Sequence, residues 1–153
     1  MATTTAPDDI IAFPKLTASD IAQLKPMATA CSFRDGETIF RAGDAEVDLF
    51  VVESGGIAIL NPSDANQLIV IHGPGQFSGD IDLLTRRPVL VTGVAHGQTQ
   101  LLRIPGDRLR EVLNKLPHFA ETMLVAIQER RRLLSETGLV GLKVVGPVSS
   151  DWP

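Results

Sequence analysis

The sequence predicts an α+β fold in which a compact β unit, a barrel or sandwich, stands between a short leading helix and two trailing helices. Three observations carry that expectation. From Cys31 to Ile104 short apolar runs alternate with turn residues, the spacing of an all-β unit. From Pro105 onward the apolar residues recur at helical spacing instead. Ahead of both, Thr17-Ala18-Ser19-Asp20 reads as the start of a capped helix. A run of strands bracketed by helices is an α+β arrangement.

Taken in order, the leading helix has Thr17 as its N-cap, an acid three residues on, and Ile21 and Leu24 as its apolar positions, with Pro26 limiting it. The expected strands are Cys31 to Arg34, Thr38 to Phe40, Leu49 to Glu53, Ile57 to Leu60, Leu68 to Ile71, Val89 to Val94 and Gln100 to Ile104. Asp35-Gly36, Ala42-Gly43-Asp44, Ser54-Gly55-Gly56, Asn61-Pro62-Ser63-Asp64 and Gly73-Pro74-Gly75 separate them, and each carries a residue that fixes a turn or tolerates positive φ. A helix over Asp107 to Leu116 presents Leu109, Val112, Leu113 and Leu116 on one face and is stopped by Pro117. A longer helix from about His118 to Glu136 repeats Phe119, Met123, Ile127 and Leu134, with Gly138 as its C-cap. Residues 1–12 are expected to be a flexible N-terminus, 13–137 the domain, and 138–153 a linker or the start of a following domain. The tail from Leu142 to Pro147 looks like the first strand of something else, so the chain reads as cut at a domain boundary or as carrying a short appendage.

Composition narrows the class of function. The chain has 153 residues, 44% hydrophobic and 21% charged, enough for one buried core in a soluble domain. A net charge of −4 supplies no chain-wide basic footprint for nucleic acid. No apolar run reaches the roughly 20 residues that span a bilayer, and the N-terminus lacks the basic start and apolar stretch of a secretory signal. Cytoplasm is the expected compartment. Cys31 is the one cysteine, which leaves no disulfide or Cys-x-x-Cys chemistry within the chain and reads as a small core residue in a strand.

The stretch from Gly73 through Ser78-Gly79-Asp80 to Arg86-Arg87-Pro88 and Val94 is the one with ligand chemistry in it. Glycines let a ligand approach the backbone, and N–H groups exposed at the start of a short helical turn make an anion site. Asp80 is an acceptor suited to sugar hydroxyls, and Arg86 or Arg87 could bring charge to a phosphate.

The order of motifs resembles the cyclic nucleotide-binding domain family, the domain of catabolite activator-type regulators, cyclic-nucleotide-dependent kinase regulatory subunits and nucleotide-gated channels. The residues that carry the resemblance are Asp35-Gly36-Glu37-Thr38-Ile39-Phe40, Ala42-Gly43-Asp44, Asp48-Leu49-Phe50-Val51-Val52-Glu53-Ser54-Gly55 and Gly75-Gln76-Phe77-Ser78-Gly79-Asp80, followed by the helical Pro105 to Leu134 segment. The resemblance implies an eight-stranded antiparallel jelly-roll barrel with a helix before it and two after, and Gly36, Gly43, Gly55 and Gly75 would fall at its corners. It also implies a phosphate-binding cassette in which a glutamate holds the ribose 2′-hydroxyl and an arginine pairs with the cyclic phosphate. In this sequence Asp80 takes the glutamate's place and Val89 the arginine's, with Leu90 where a small or hydroxylated residue is usual. A charge-assisted hydrogen bond to a buried phosphate contributes about 1.5–3 kcal/mol, so the loss of the arginine weakens binding by one to several powers of ten. The cassette therefore points to weak or absent cyclic AMP or cyclic GMP binding unless Arg87, two residues upstream and ahead of Pro88, compensates. The run from Gly79 to Pro88 is also similar to the cassette of nucleotide-binding-like domains fused upstream of thioredoxin reductase-type flavoproteins.

Other features read as structural. Arg130-Arg131-Arg132 fans around a helix beside Glu129 and Glu136, a solvated face rather than a nucleic-acid patch, and no helix-turn-helix follows, so DNA binding by this chain alone is not expected. His72, His96 and His118 are read as loop or surface residues without carboxylate companions at ligand spacing, so no metal is expected. No nucleophile–base constellation supports an enzyme. The expected function is a non-enzymatic sensor domain whose pocket centres on Gly79, Asp80 and Arg87, with Phe77, Ser78, Ile81, Val89 and Leu90 around them. It signals through the last helix to a fused or partner effector domain and pairs as a homodimer through that helix. The alternative is a degenerate domain that binds no nucleotide and serves for docking or dimerisation, regulating a fused or partner disulfide reductase.

Overall fold

A computed structural model describes residues 14–44, 48–79 and 91–141, of which 131 and 133–141 are described by their backbone alone. Helix α1 (Ala18–Leu24) begins as its sequence predicts. The Asp20 amide donates to Thr17 Oγ1 at 3.1 Å, and the Thr17 amide donates to Asp20 Oδ2 at 3.1 Å, which satisfies two of the N–H groups a helix start leaves open. Pro26 sits in a 3₁₀ turn, Lys25–Met27, that closes this helix.

Eight strands follow: β1 (Thr29–Phe33), β2 (Thr38–Phe40), β3 (Asp48–Ser54), β4 (Ile57–Asn61), β5 (Gln67–His72), β6 (Phe77–Ser78), β7 (Thr92–Ala95) and β8 (Thr99–Pro105). They form two four-stranded antiparallel sheets, β1-β8-β3-β6 and β2-β7-β4-β5, which is the double-sheet jelly roll. All seven runs expected to be strands are strands, with ends shifted by a residue or two where they are described. Strand β6 is additional: two residues are too few to show an alternating pattern, and only pairing with β3 makes them a strand. The corner glycines Gly36, Gly43, Gly55 and Gly75 all have positive φ.

Alternation along β3 divides the interior in two. Leu49 and Val51 turn toward the helices, where Leu102, Ile104, Leu109, Val112, Leu116, Phe119, Met123 and Ile127 complete one core. Phe50 and Val52 turn between the sheets and join Ile57, Ile59, Val70 and Leu101, with the rings of Phe40 and Phe50 stacked at 6.0 Å. Helix α2 (Leu109–Lys115) and helix α3 (Pro117–Gly141) lie on the outer face of the first sheet. Pro117 ends one helix by opening the next, since proline at the first helical position lacks only an N–H that would be unbonded anyway.

Three expectations need correction in this frame. Gly138 does not cap the last helix, which continues through it to Gly141; an interior glycine costs about 1 kcal/mol against alanine but does not by itself break the hydrogen-bond ladder. Cys31 is half-buried on the edge strand β1 rather than in the core. His118 is exposed as expected but does have a carboxylate companion: its Nδ1 lies 3.0 Å from Asp20 Oδ1, a partner 98 residues away in sequence. The linker or following-domain reading of 138–153 and the N-terminal segment 1–12 fall, for the most part, outside the described residues.

Candidate ligand site and its contact with the last helix

The approach to the cassette is built from the turn Gly73–Gln76. The buried Gln76 side chain accepts a hydrogen bond from the Gly73 amide at 2.7 Å, and its backbone amide donates back to the Gly73 carbonyl at 3.0 Å. Backbone bonds fasten the turn to β3, from the Gly75 amide to the Val52 carbonyl at 2.8 Å and from the Val52 amide to the Gln76 carbonyl at 2.9 Å. The Leu16 amide donates to the Gly75 carbonyl at 2.8 Å, so the segment ahead of α1 braces the same loop.

Strand β6 then sets Phe77 opposite Val51 and Ser78 opposite Phe50. Paired residues share a face, so Phe77 belongs to the helix-side core, while Ser78 lies beside Phe50, whose ring lines the interior between the sheets. Gly79 follows at φ +102, and a Cβ there would run into the Asp48 carbonyl. Asp48 is itself fixed, with Oδ1 accepting from the Gly106 amide at 3.2 Å and Oδ2 within 3.5 Å of Arg103 Nε. The chain therefore enters the cassette through a backbone contact that only glycine allows. Phe77, Ser78 and Gly79 are brought to this point; Asp80, Ile81, Arg87, Val89 and Leu90 lie outside the described residues.

Sequence reasoning missed what stands behind β6. Arg130, expected on a solvated face, is only 7% exposed. Its guanidinium carbon lies 4.8 Å from the centre of the Phe77 ring, and Nη2 donates to the Phe77 carbonyl at 3.2 Å. The same ring packs edge-to-face with Phe119, at 6.3 Å between centroids and 73° between planes. Phe119 and Arg130 stand about three turns apart on one helix, and because long helical side chains lean toward the N-terminus, Arg130 reaches back toward the ring that Phe119 also touches. Arginine cannot shed its proton, so a buried one must be compensated. A desolvated cation–π contact contributes about 2 kcal/mol and a hydrogen bond from a charged donor about 1.5–3 kcal/mol, which offsets part of that cost.

His72 also departs from expectation. It is buried at the end of β5, 4% exposed, rather than in a loop or on the surface. Burial, and then the nearby charge of Arg130, hold its imidazole pKa well below 6.5, so the ring is neutral at physiological pH. Neither placement had a signal in the sequence. Arg130 stands in a run of three arginines of which Arg132 does pair locally, with Glu129, as surface arginines do.

The sequence matches the cyclic nucleotide-binding domain family over residues 30–115, more than half of its length. The chain belongs to the cyclic nucleotide-binding domain family. As such a domain it is 31% identical over 119 residues to a candidate potassium channel protein of Rhodopseudomonas palustris, an alignment that takes in 77% of this chain and 29% of the relative. The chain thus spans less than a third of the length of that relative. Among solved structures the domain is similar to the catabolite activator protein of Thermus thermophilus, with a TM-score of 0.69 and 22% identity over 82% of this chain and 60% of the other. It is also similar to the cyclic di-GMP-responsive global regulator CLP of Xanthomonas campestris, with a TM-score of 0.66 and 26% identity over 79% of this chain and 61% of the other. These likenesses agree with the two antiparallel sheets and flanking helices of this cyclic nucleotide-binding domain. No helix among the described residues is long and apolar enough to cross a membrane.

Proposed function

We propose that this domain senses an anionic nucleotide at the cassette beginning at Gly79 and passes the event to an effector through α3. The observation that carries the reading is the geometry at Gly79: a left-handed glycine pressed against the Asp48 carbonyl, delivered by a strand whose Ser78 stands beside Phe50 of the barrel interior. Asp80 would accept from ribose hydroxyls, and Arg87 would supply the phosphate's charge partner in place of Val89. The ligand class is cyclic AMP or cyclic GMP. Cyclic di-GMP joins the candidates because the regulator of Xanthomonas campestris is described as responsive to it.

Calorimetric titration with these three nucleotides, on the wild-type chain and on Arg87→Ala, tests the reading. Binding with a Kd of about 1–100 μM that weakens at least about tenfold in Arg87→Ala is expected. No heat from any of them at millimolar concentration would remove nucleotide sensing; undiminished binding by Arg87→Ala would remove Arg87 from the site.

One observation favours a second reading, a docking or dimerisation module. Leu124 and Val125 stand 51% and 47% exposed on α3, the helix expected to pair two copies or meet a fused or partner disulfide reductase. Absence of nucleotide binding together with a dimer that Leu124→Glu dissociates, read by light scattering, would select it.

A further inference from the structure

We propose that Arg130 is a positioning residue that straps α3 to β6, so that the cassette and the output helix move as one body. The inference rests on the cassette being the ligand site, and it adds to that reading the joint through which the site is read out. Phe77 is the shared part. Its backbone is paired with Val51 and leads through Ser78 into Gly79, its ring faces the helices, and α3 holds that ring at two places. Phe119 packs T-shaped with the ring near the start of the helix, and Arg130 covers the ring while donating to the Phe77 carbonyl. A displacement of the Phe77 backbone therefore shifts both the acceptor and the ring that the guanidinium engages. Both contacts are made by one planar guanidinium, so such a displacement disturbs them together.

The chemistry of the cation suits this task. Among the described residues Arg130 is the one buried lysine or arginine, and its charge is permanent. The buried imidazole of His72, held neutral by burial and by the charge of Arg130, adds no second charge to it. A buried guanidinium that engages a ring and a carbonyl of a different element penalises separation of the two elements.

Amide hydrogen exchange on the full chain tests the strap. In Arg130→Met, which keeps the apolar stem and removes the charge and donors, amides of Phe77–Gly79 and of α3 should both exchange about tenfold faster, while those of the β4–β5 hairpin should not change. At saturating cyclic AMP or cyclic GMP, α3 exchange should respond in the wild type and not in Arg130→Met, and Arg130→Lys should restore part of the response. Acceleration confined to α3, or unchanged exchange at β6, would overturn the proposal. Phe77→Leu provides a second route should Arg130→Met fold poorly: removal of the ring should loosen the same two segments, and unchanged exchange in α3 would equally overturn it. A wild type that binds no nucleotide would remove the sensing role, while the ligand-free exchange would still decide whether the strap exists.

Discussion

Gly79 follows β6 directly, and its two constraints can be separated by substitution. Its φ of +102 is unfavourable for any side chain, and the Asp48 carbonyl occupies the place a Cβ would need. Gly36 shares only the first constraint, with φ +84 and nothing within 4 Å of the point where a Cβ would stand. Gly36→Ala should therefore cost about 1–2 kcal/mol, the left-handed penalty alone. Gly79→Ala should cost about 3 kcal/mol or more, because the backbone of β3 must shift as well. Urea denaturation midpoints of the two variants test this, and equal losses would mean that the Asp48 contact relaxes freely. The sequence announced Gly79 through its place in a glycine-rich signature, but the identity of the carbonyl it packs against came only from the pairing of β3 and β6.

At the scale of elements, the ends of α1 and α3 are joined by one ion pair with a definite pH signature. Asp20 is buried, which raises its pKa, but the hydrogen bonds from His118 and Thr17 outweigh burial and hold it below 3.8. The exposed His118 is raised above 6.5, first by its hydrogen bond to Asp20 and then by the charges of Asp20 and Glu121. The stability from His118 is thus complete below pH 6.5 and is lost as pH rises through its folded value. The stability from Asp20 is complete above pH 3.8 and is lost as pH falls through its own folded value. Denaturation midpoints of wild type and His118→Ala should differ most between about pH 4 and 6.5 and converge in alkali. His72 opposes this trend, since its buried neutral form is destabilising as pH falls below 6.5, but it is common to both proteins and cancels in the difference. A difference that does not shrink at alkaline pH would mean that His118 acts through packing.

For the whole molecule, the two cores are continuous through the strands that separate them. Strand β3 gives Leu49 and Val51 to the helix side and Phe50 and Val52 to the space between the sheets, and β8 divides Leu102 and Ile104 from Leu101 in the same way. Neither core can lose its half of β3 without exposing the other. Helices and barrel should therefore unfold in a single transition, with circular dichroism and exchange of the β4–β5 amides giving the same midpoint in urea. A separate, earlier loss of helical signal would show the helices to be an independent unit.

The sequence by itself determined the order and nearly all the extents of the elements, the corners, the capped start of α1 and the family. Each of these depends on residues close together in the chain, where period, turn chemistry and caps act. The departures expected at Asp80 and Val89 rest on the same kind of local pattern. Tertiary structure decided the rest. It made a strand of Phe77–Ser78, gave His118 an acid from the other end of the domain, buried His72, and folded Arg130 inward onto Phe77. Local pattern could not place Arg130, because whether an arginine faces water or the interior depends on a ring and a carbonyl 53 residues away that can compensate its charge.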